Sequence, residues 1–163
     1  MPYPDRTAAH TEGDVVVFLI GTRINKLHRP DKWVPVVRAM GRAMAELSAH
    51  PELGLLGSRF RRAGRCVDAV QYWRSFDHLH AYARARDAAH LPAWQAYNRA
   101  ARGNDAVGVW HETFLVRAGE YEAVYRNMPT YGLAKAAEAV PAVGAWEGTA
   151  GRLGRGVEPL AGS

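Results

Sequence analysis

Cysteine is all but missing from this 163-residue sequence, in which Cys66 stands alone. A lone thiol excludes an intrachain disulfide and a cysteine cluster around zinc, and it fits a reducing cytoplasm. Long apolar runs are missing too: the longest, Val15 to Ile20, is far too short to span a bilayer. The opening Met1-Pro-Tyr-Pro-Asp-Arg6 has no apolar stretch behind its charges, so no signal peptide is expected. No internal repeat is visible. The formal charge of +5 comes almost entirely from arginine, and the arginines are dispersed apart from Arg59, Arg61, Arg62 and Arg65. Zinc-finger spacing, a helix-turn-helix pattern and an aromatic RNA-binding motif are all lacking, so no nucleic-acid partner is expected. Arginines gathered beside a pocket would equally hold carboxylates or phosphates of a small ligand.

What is present is the material for one α+β domain. Nearly half of the residues are apolar, enough for a real core. Residues 1–12 are polar and read as a flexible arm, residues 13–143 as the domain, and the Gly- and Ala-rich 144–163 as a disordered tail. Asp14 to Gly21 is a β-branched and aromatic run, hence a strand, with apolar residues on both faces. Trp33, Val37, Met40, Met44 and Leu47 form one helical stripe across Asp31–Ala49, with Asp31 as N-cap and Pro35 in the first turn. Leu53–Phe60 and Cys66–Arg74 predict a hairpin turning at Ala63-Gly64. Phe76–Arg86 and Leu91–Arg102 are helical, Val107–Val116 is a fourth strand, and Glu120–Asn127 suggests a fifth. The order β-α-β-β-α-β is the ferredoxin-like arrangement, whose helices cover one face of a four-stranded sheet. The other face still carries apolar residues. Covering it with the same face of a second copy predicts a homodimer, a dimeric α/β barrel.

Two histidines stand apart from the other five. His90 heads a helical stripe with Trp94 and Tyr97, at i+4 and i+7. It is either a hydrogen-bonded core residue or a ligand to a cofactor iron. His111 lies mid-strand in Val109-Trp110-His111-Glu112-Thr113, pointing to one face while Trp110 and Glu112 point to the other. Adjacent ionisable residues in an apolar strand are costly without partners, so His111 and Glu112 serve either a site or a buried structural hydrogen bond.

The stretch His80 to Trp94 resembles the second helix of dimeric α/β-barrel monooxygenases. Together with Val109-Trp110-His111-Glu112 and Tyr125-Arg-Asn127-Met-Pro129-Thr-Tyr-Gly132-Leu133 it resembles haem-containing aldoxime dehydratases more specifically, over Tyr72 to Leu133. The whole chain resembles a little-characterised bacterial family labelled "monooxygenase". The resemblance implies that His90 is the axial ligand of a haem b iron and that His111 is the distal acid/base, with Glu112 beside it. Arg74 and Ser75 are the candidates for the dehydratases' distal arginine and serine. Trp94 and Tyr97 would then line the cofactor, and Arg59 and Arg61 would pair with its propionates. Two departures stand out: those dehydratases fuse two ferredoxin-like halves where this chain has one, and the Asn127 segment lacks their Cys-His.

Three functions are weighed on these residues: a haem-dependent lyase acting on a small nitrogen-containing substrate, a cofactor-free or haem-dependent monooxygenase, and a non-enzymatic haem or small-molecule carrier. In the cofactor-free case His111, Trp94 or Asn98 would position or deprotonate the substrate.

Overall fold

The computed structural model describes residues 5–85, 95, 98–99, 102 and 105–155. His90, Trp94 and Tyr97 lie outside the described residues, as does most of the second predicted helical piece, Leu91–Arg102. The chain divides into two compact units, one of Val16–Phe114 and one of Met1–Val15 with Leu115–Ser163.

The Val16–Phe114 unit is built on a four-stranded sheet. Its strands are β2 (Val15–Ile24), β3 (Leu55–Ala63), β4 (Cys66–Trp73) and β5 (Val107–Val116), with helices α1 (Pro30–Ala49) and α2 (Phe76–Arg84) between them. The spatial order β3-β4-β2-β5 places the first and third strands of the unit in the centre, which is the split βαβ order. β2 runs antiparallel to β4 from Val16 opposite Trp73 to Arg23 opposite Cys66. β3 pairs with β4 from the hairpin turn upward, with an irregularity between Leu55 and Gly57.

Alternation assigns the two faces. Val16, Ala69 and Trp73 share the helix-bearing face and close a core with Met44 and Leu47 of α1 and Leu79 of α2. Phe18, Ile20, Leu55 and Tyr82 pack at its margin. Trp73 and Leu47 are among the largest fully buried side chains, so burial of the α1 stripe against β2 and β4 drives this half of the fold. α1 starts earlier than its predicted cap. Pro30 occupies the first turn, Arg29 stands at the N-cap position without a capping side chain, and Asp31 lies inside the helix, paired with the Arg29 guanidinium at 2.8 and 2.9 Å. Proline at the first turn, where an N–H has no intrahelical acceptor, makes a side-chain cap dispensable. α2 does have one, Ser75, whose hydroxyl accepts from the His78 N–H at 3.3 Å.

The second unit replaces both the predicted arm and much of the predicted tail. β1 (Thr7–His10) is the central strand of a three-stranded antiparallel sheet, between β6 (Val124–Tyr125) and β7 (Glu138–Pro141). Ala8 and Ala9 are buried there. Their hydrophobicity is too low to announce a strand, and main-chain pairing on both sides supplies what side chains do not. The fifth strand, expected across Glu120–Asn127, is limited to the two residues of β6. A short helix α3 (Leu133–Ala136) buries Leu133 and Ala134.

Beyond Gly144 a 3-10 turn (Gly144–Trp146) and α4 (Thr149–Arg152) stand where a disordered tail is expected. Arg152 orders them. Its guanidinium donates to Glu122 Oε1 at 2.6 and 2.9 Å, to the Trp146 and Glu147 carbonyls at 2.7 Å each, and to Thr149 Oγ1. Composition registers only the glycines and alanines around it.

Candidate functional site

Phe18 sits at the middle of β2 and faces the helices, in step with Val16 and Ile20. The His111 imidazole on neighbouring β5 meets its ring, with centroids 5.7 Å apart and planes 40° to each other. His111 is exposed. Among the described residues neither of its ring nitrogens has a hydrogen-bond or ion-pair partner. Of the two alternatives for His111 and Glu112, the buried structural hydrogen bond is corrected: both are exposed, and neither carries the desolvation cost of burial.

Trp110, one residue earlier, lies on the opposite face. Its indole covers Gly21 of β2, where a Cβ would stand 2.6 Å from Nε1 and 2.8 Å from Asp68 Cβ. Only glycine at position 21 leaves room for that indole. Arg61 belongs to this face too, directly opposite Asp68, and donates to Asp68 Oδ2 through Nε and a terminal nitrogen at 2.8 Å each. Arg59 is half-buried on the same face, opposite Val70. The alternation of β3 and β5 thus separates Arg59 and Arg61 from His111 rather than gathering them. The Arg61 fork is already engaged by a carboxylate.

Arg74 and Ser75 follow β4 into α2. The Ser75 hydroxyl serves as the helix cap and lies 2.7 Å from His78 Nδ1, while Arg74 is exposed and its backbone N–H donates to the Gly54 carbonyl at 2.9 Å. Behind Phe18 the helix-bearing face holds groups that the sequence reading passed over. Gln71, directly opposite Phe18 on β4, is buried; its Oε1 accepts from Trp73 Nε1 at 2.8 Å and its Nε2 approaches Met44 Sδ at 3.0 Å. Tyr82 packs on Trp73 and donates to Glu46 Oε2 at 3.3 Å. Burial pushes the Tyr82 hydroxyl well above the ordinary tyrosine range, and the Glu46 carboxylate adds to the shift. A polar residue within the alternating Val67-Asp-Ala-Val-Gln-Tyr-Trp73 strand was the available signal for Gln71.

Chemically, the described part of the site offers an unengaged imidazole on an apolar ring, backed by a buried amide. Among the described residues no three His, Cys, Asp or Glu side chains cluster as a metal site, and no helix is long and apolar enough to cross a membrane.

Comparison with known proteins fits this architecture. The family described as "Monooxygenase af470-like" matches residues 15–133. "Monooxygenase af470" of Aspergillus fumigatus is 32% identical over 127 residues, which cover 71% of this chain and 44% of that protein. The chain therefore spans less than half the length of this curated relative. Among solved structures, the aldoxime dehydratase OxdRE in complex with butyraldoxime superposes with a TM-score of 0.65 at 16% identity, over 83% of this chain and 39% of that one. SnoaB, a cofactor-independent oxygenase from Streptomyces nogalater, has a TM-score of 0.45 at 15% identity, over 62% of this chain and 91% of its own. The likeness to OxdRE is one of fold. With most of its length matched by the family, from the first core strand past the end of the sheet, the chain belongs to the monooxygenase af470-like family.

Proposed function

We propose that this chain is a haem-binding enzyme acting on a small organic, nitrogen-containing substrate, with His90 as axial ligand and His111 as distal acid/base. The observation that carries the reading is His111 itself, an imidazole whose nitrogens have no partner among the described residues and which has an apolar ring at its side. That setting suits a planar apolar group with a polar reacting centre on the helix-bearing face. His90, as a neutral imidazole, would hold the iron, and Trp94 and Tyr97 would wall the macrocycle. Haem, when bound, would supply a Lewis-acidic iron for the substrate nitrogen.

The rest of the chemistry falls to the chain. Protonated, His111 would donate to the hydroxyl that departs from the substrate nitrogen as water, and the neutral imidazole would then take the proton lost from the adjacent substrate carbon as the nitrile forms, which restores its starting state. Phe18, in contact with the imidazole, would present an apolar floor to the substrate. Arg74, at the end of β4, is the candidate for a charged group of the cofactor, since Arg61 is held by Asp68 and Arg59 lies on the face away from His111. The working form is a homodimer in the cytoplasm, the second copy covering the Trp110 face, where Phe114 is 50% exposed.

A second reading draws on the family description: a monooxygenase, haem-dependent or cofactor-free, in which His111 deprotonates an activated organic substrate before its reaction with oxygen. Expression with haem supply decides between the two. A Soret band that shifts in His90→Ala, with conversion of butyraldoxime to its nitrile, is the expected result. No haem uptake, with oxidation of a polyphenol by the metal-free protein, establishes the second reading instead.

A further inference from the structure

The orientation of the buried Gln71 amide is fixed by its neighbours. An indole N–H can only donate, so the Gln71 atom that meets Trp73 Nε1 at 2.8 Å is the oxygen Oε1. The NH2 group therefore points the other way. One of its protons is directed at Met44 Sδ, a weak acceptor 3.0 Å from Nε2. The other has no acceptor among the described residues, although Gln71 is only 5% exposed. Folded proteins rarely leave a buried N–H without an acceptor, because its hydration is lost with nothing in return. Its position is informative. Gln71 stands directly opposite Phe18, and Phe18 in turn meets His111, so in the order β4-β2-β5 the amide and the imidazole flank one phenyl ring. Two strand spacings separate their backbones, roughly 10 Å.

We infer that the second Nε2–H of Gln71 is a substrate-binding donor, which holds a carbonyl-type acceptor at one end of a small flat molecule that crosses Phe18 and presents its reacting end to His111. The inference rests on the proposed function for the identity of that reacting end. It adds the substrate class: a short apolar body with an acceptor on the side away from the reacting group. An aldoxime with no such acceptor would bind through its apolar body alone.

Two oximes that differ only in the acceptor test this on the metal-free protein, 4-acetylbenzaldoxime and benzaldoxime. The acetyl compound should bind wild type about ten-fold more tightly, the worth of one good buried hydrogen bond. In Gln71→Leu the two should bind alike. Gln71→Glu retains an acceptor for the Trp73 indole while removing both N–H groups, so it should lose the discrimination as well. Should both variants fail to fold, the wild type still decides. Gln71 is one of two glutamines in the sequence, and one of its side-chain amide protons should move downfield with the acetyl compound and not with benzaldoxime. Equal affinity of the two oximes for wild type, no binding of either, or discrimination that survives in a folded Gln71 variant overturns the inference; an ordered water as the missing acceptor would give the first of these. Haem uptake and the effect of His111→Ala are unaffected by such a failure. Conversely, discrimination without haem uptake would retain Gln71 and remove the haem.

Discussion

The His111 imidazole rests on the Phe18 ring with 5.7 Å between centroids, and its nitrogens meet no other described residue. An exposed histidine with no hydrogen bond to hold it would ordinarily rotate freely. Here the neighbouring strand supplies an aromatic support on one side and leaves the polar edge open, which is the arrangement a proton-transfer group needs.

Because His111 is exposed and has no partner among the described residues, its removal should cost activity and not stability. His111→Ala is expected to lower kcat by about 10²–10⁴-fold, the usual worth of a positioned acid/base, with a thermal midpoint close to wild type. Steady-state turnover and thermal denaturation of the same preparation check both halves.

Gly21 makes the opposite prediction. An added methyl would enter the space of the Trp110 indole and Asp68, so Gly21→Ala should destabilise the protein by about 1–3 kcal/mol through overpacking. Urea unfolding followed by tryptophan fluorescence measures it. Trp110→Ala in the same background should recover much of the loss, since it removes the clashing ring.

Arg152 tests the order of the C-terminal segment. Its side chain is 4% exposed and its partner Glu122 is 28% exposed. Arg152→Met should therefore cost about 3 kcal/mol, the lower end of the range for breaking a buried pair. The expected signature is loss of hydrogen-exchange protection across 144–155 and faster proteolytic trimming there. Unchanged protection would mean that the ion pair contributes nothing to this segment.

Alkaline pH should weaken the fold through Tyr82. Its hydroxyl is held above the ordinary value near 10 by burial and by Glu46, so above that pH the unfolded chain releases a proton that the folded chain keeps. Fewer protons on the unfolded state mean that stability falls as pH rises, with the full contribution present below pH 10. The urea midpoint should decline between about pH 9.5 and 11, and Tyr82→Phe should flatten that slope.

Periodicity and composition were sufficient for the described strands and helices of the central unit. The β-branched run beginning at Val15, the Met40–Met44–Leu47 stripe and the Ala63-Gly64 turn are local patterns, and local patterns dictate strand, helix and hairpin before any tertiary contact exists. Alternation along β5 was equally legible, and it places Trp110 and His111 on opposite faces. Other features depended on partners distant in sequence. Ala8-Ala9 became a central strand only because β6 and β7, more than a hundred residues away, offered their backbone groups. The tail acquired order from one guanidinium reaching Glu122. The sequence alone therefore determined which segments are helices and strands in the core, through side-chain periodicity. Tertiary structure alone decided that Arg61 is committed to Asp68, that Phe18 meets His111 and that Gln71 is buried opposite Phe18, because each depends on which strands lie side by side and on which face.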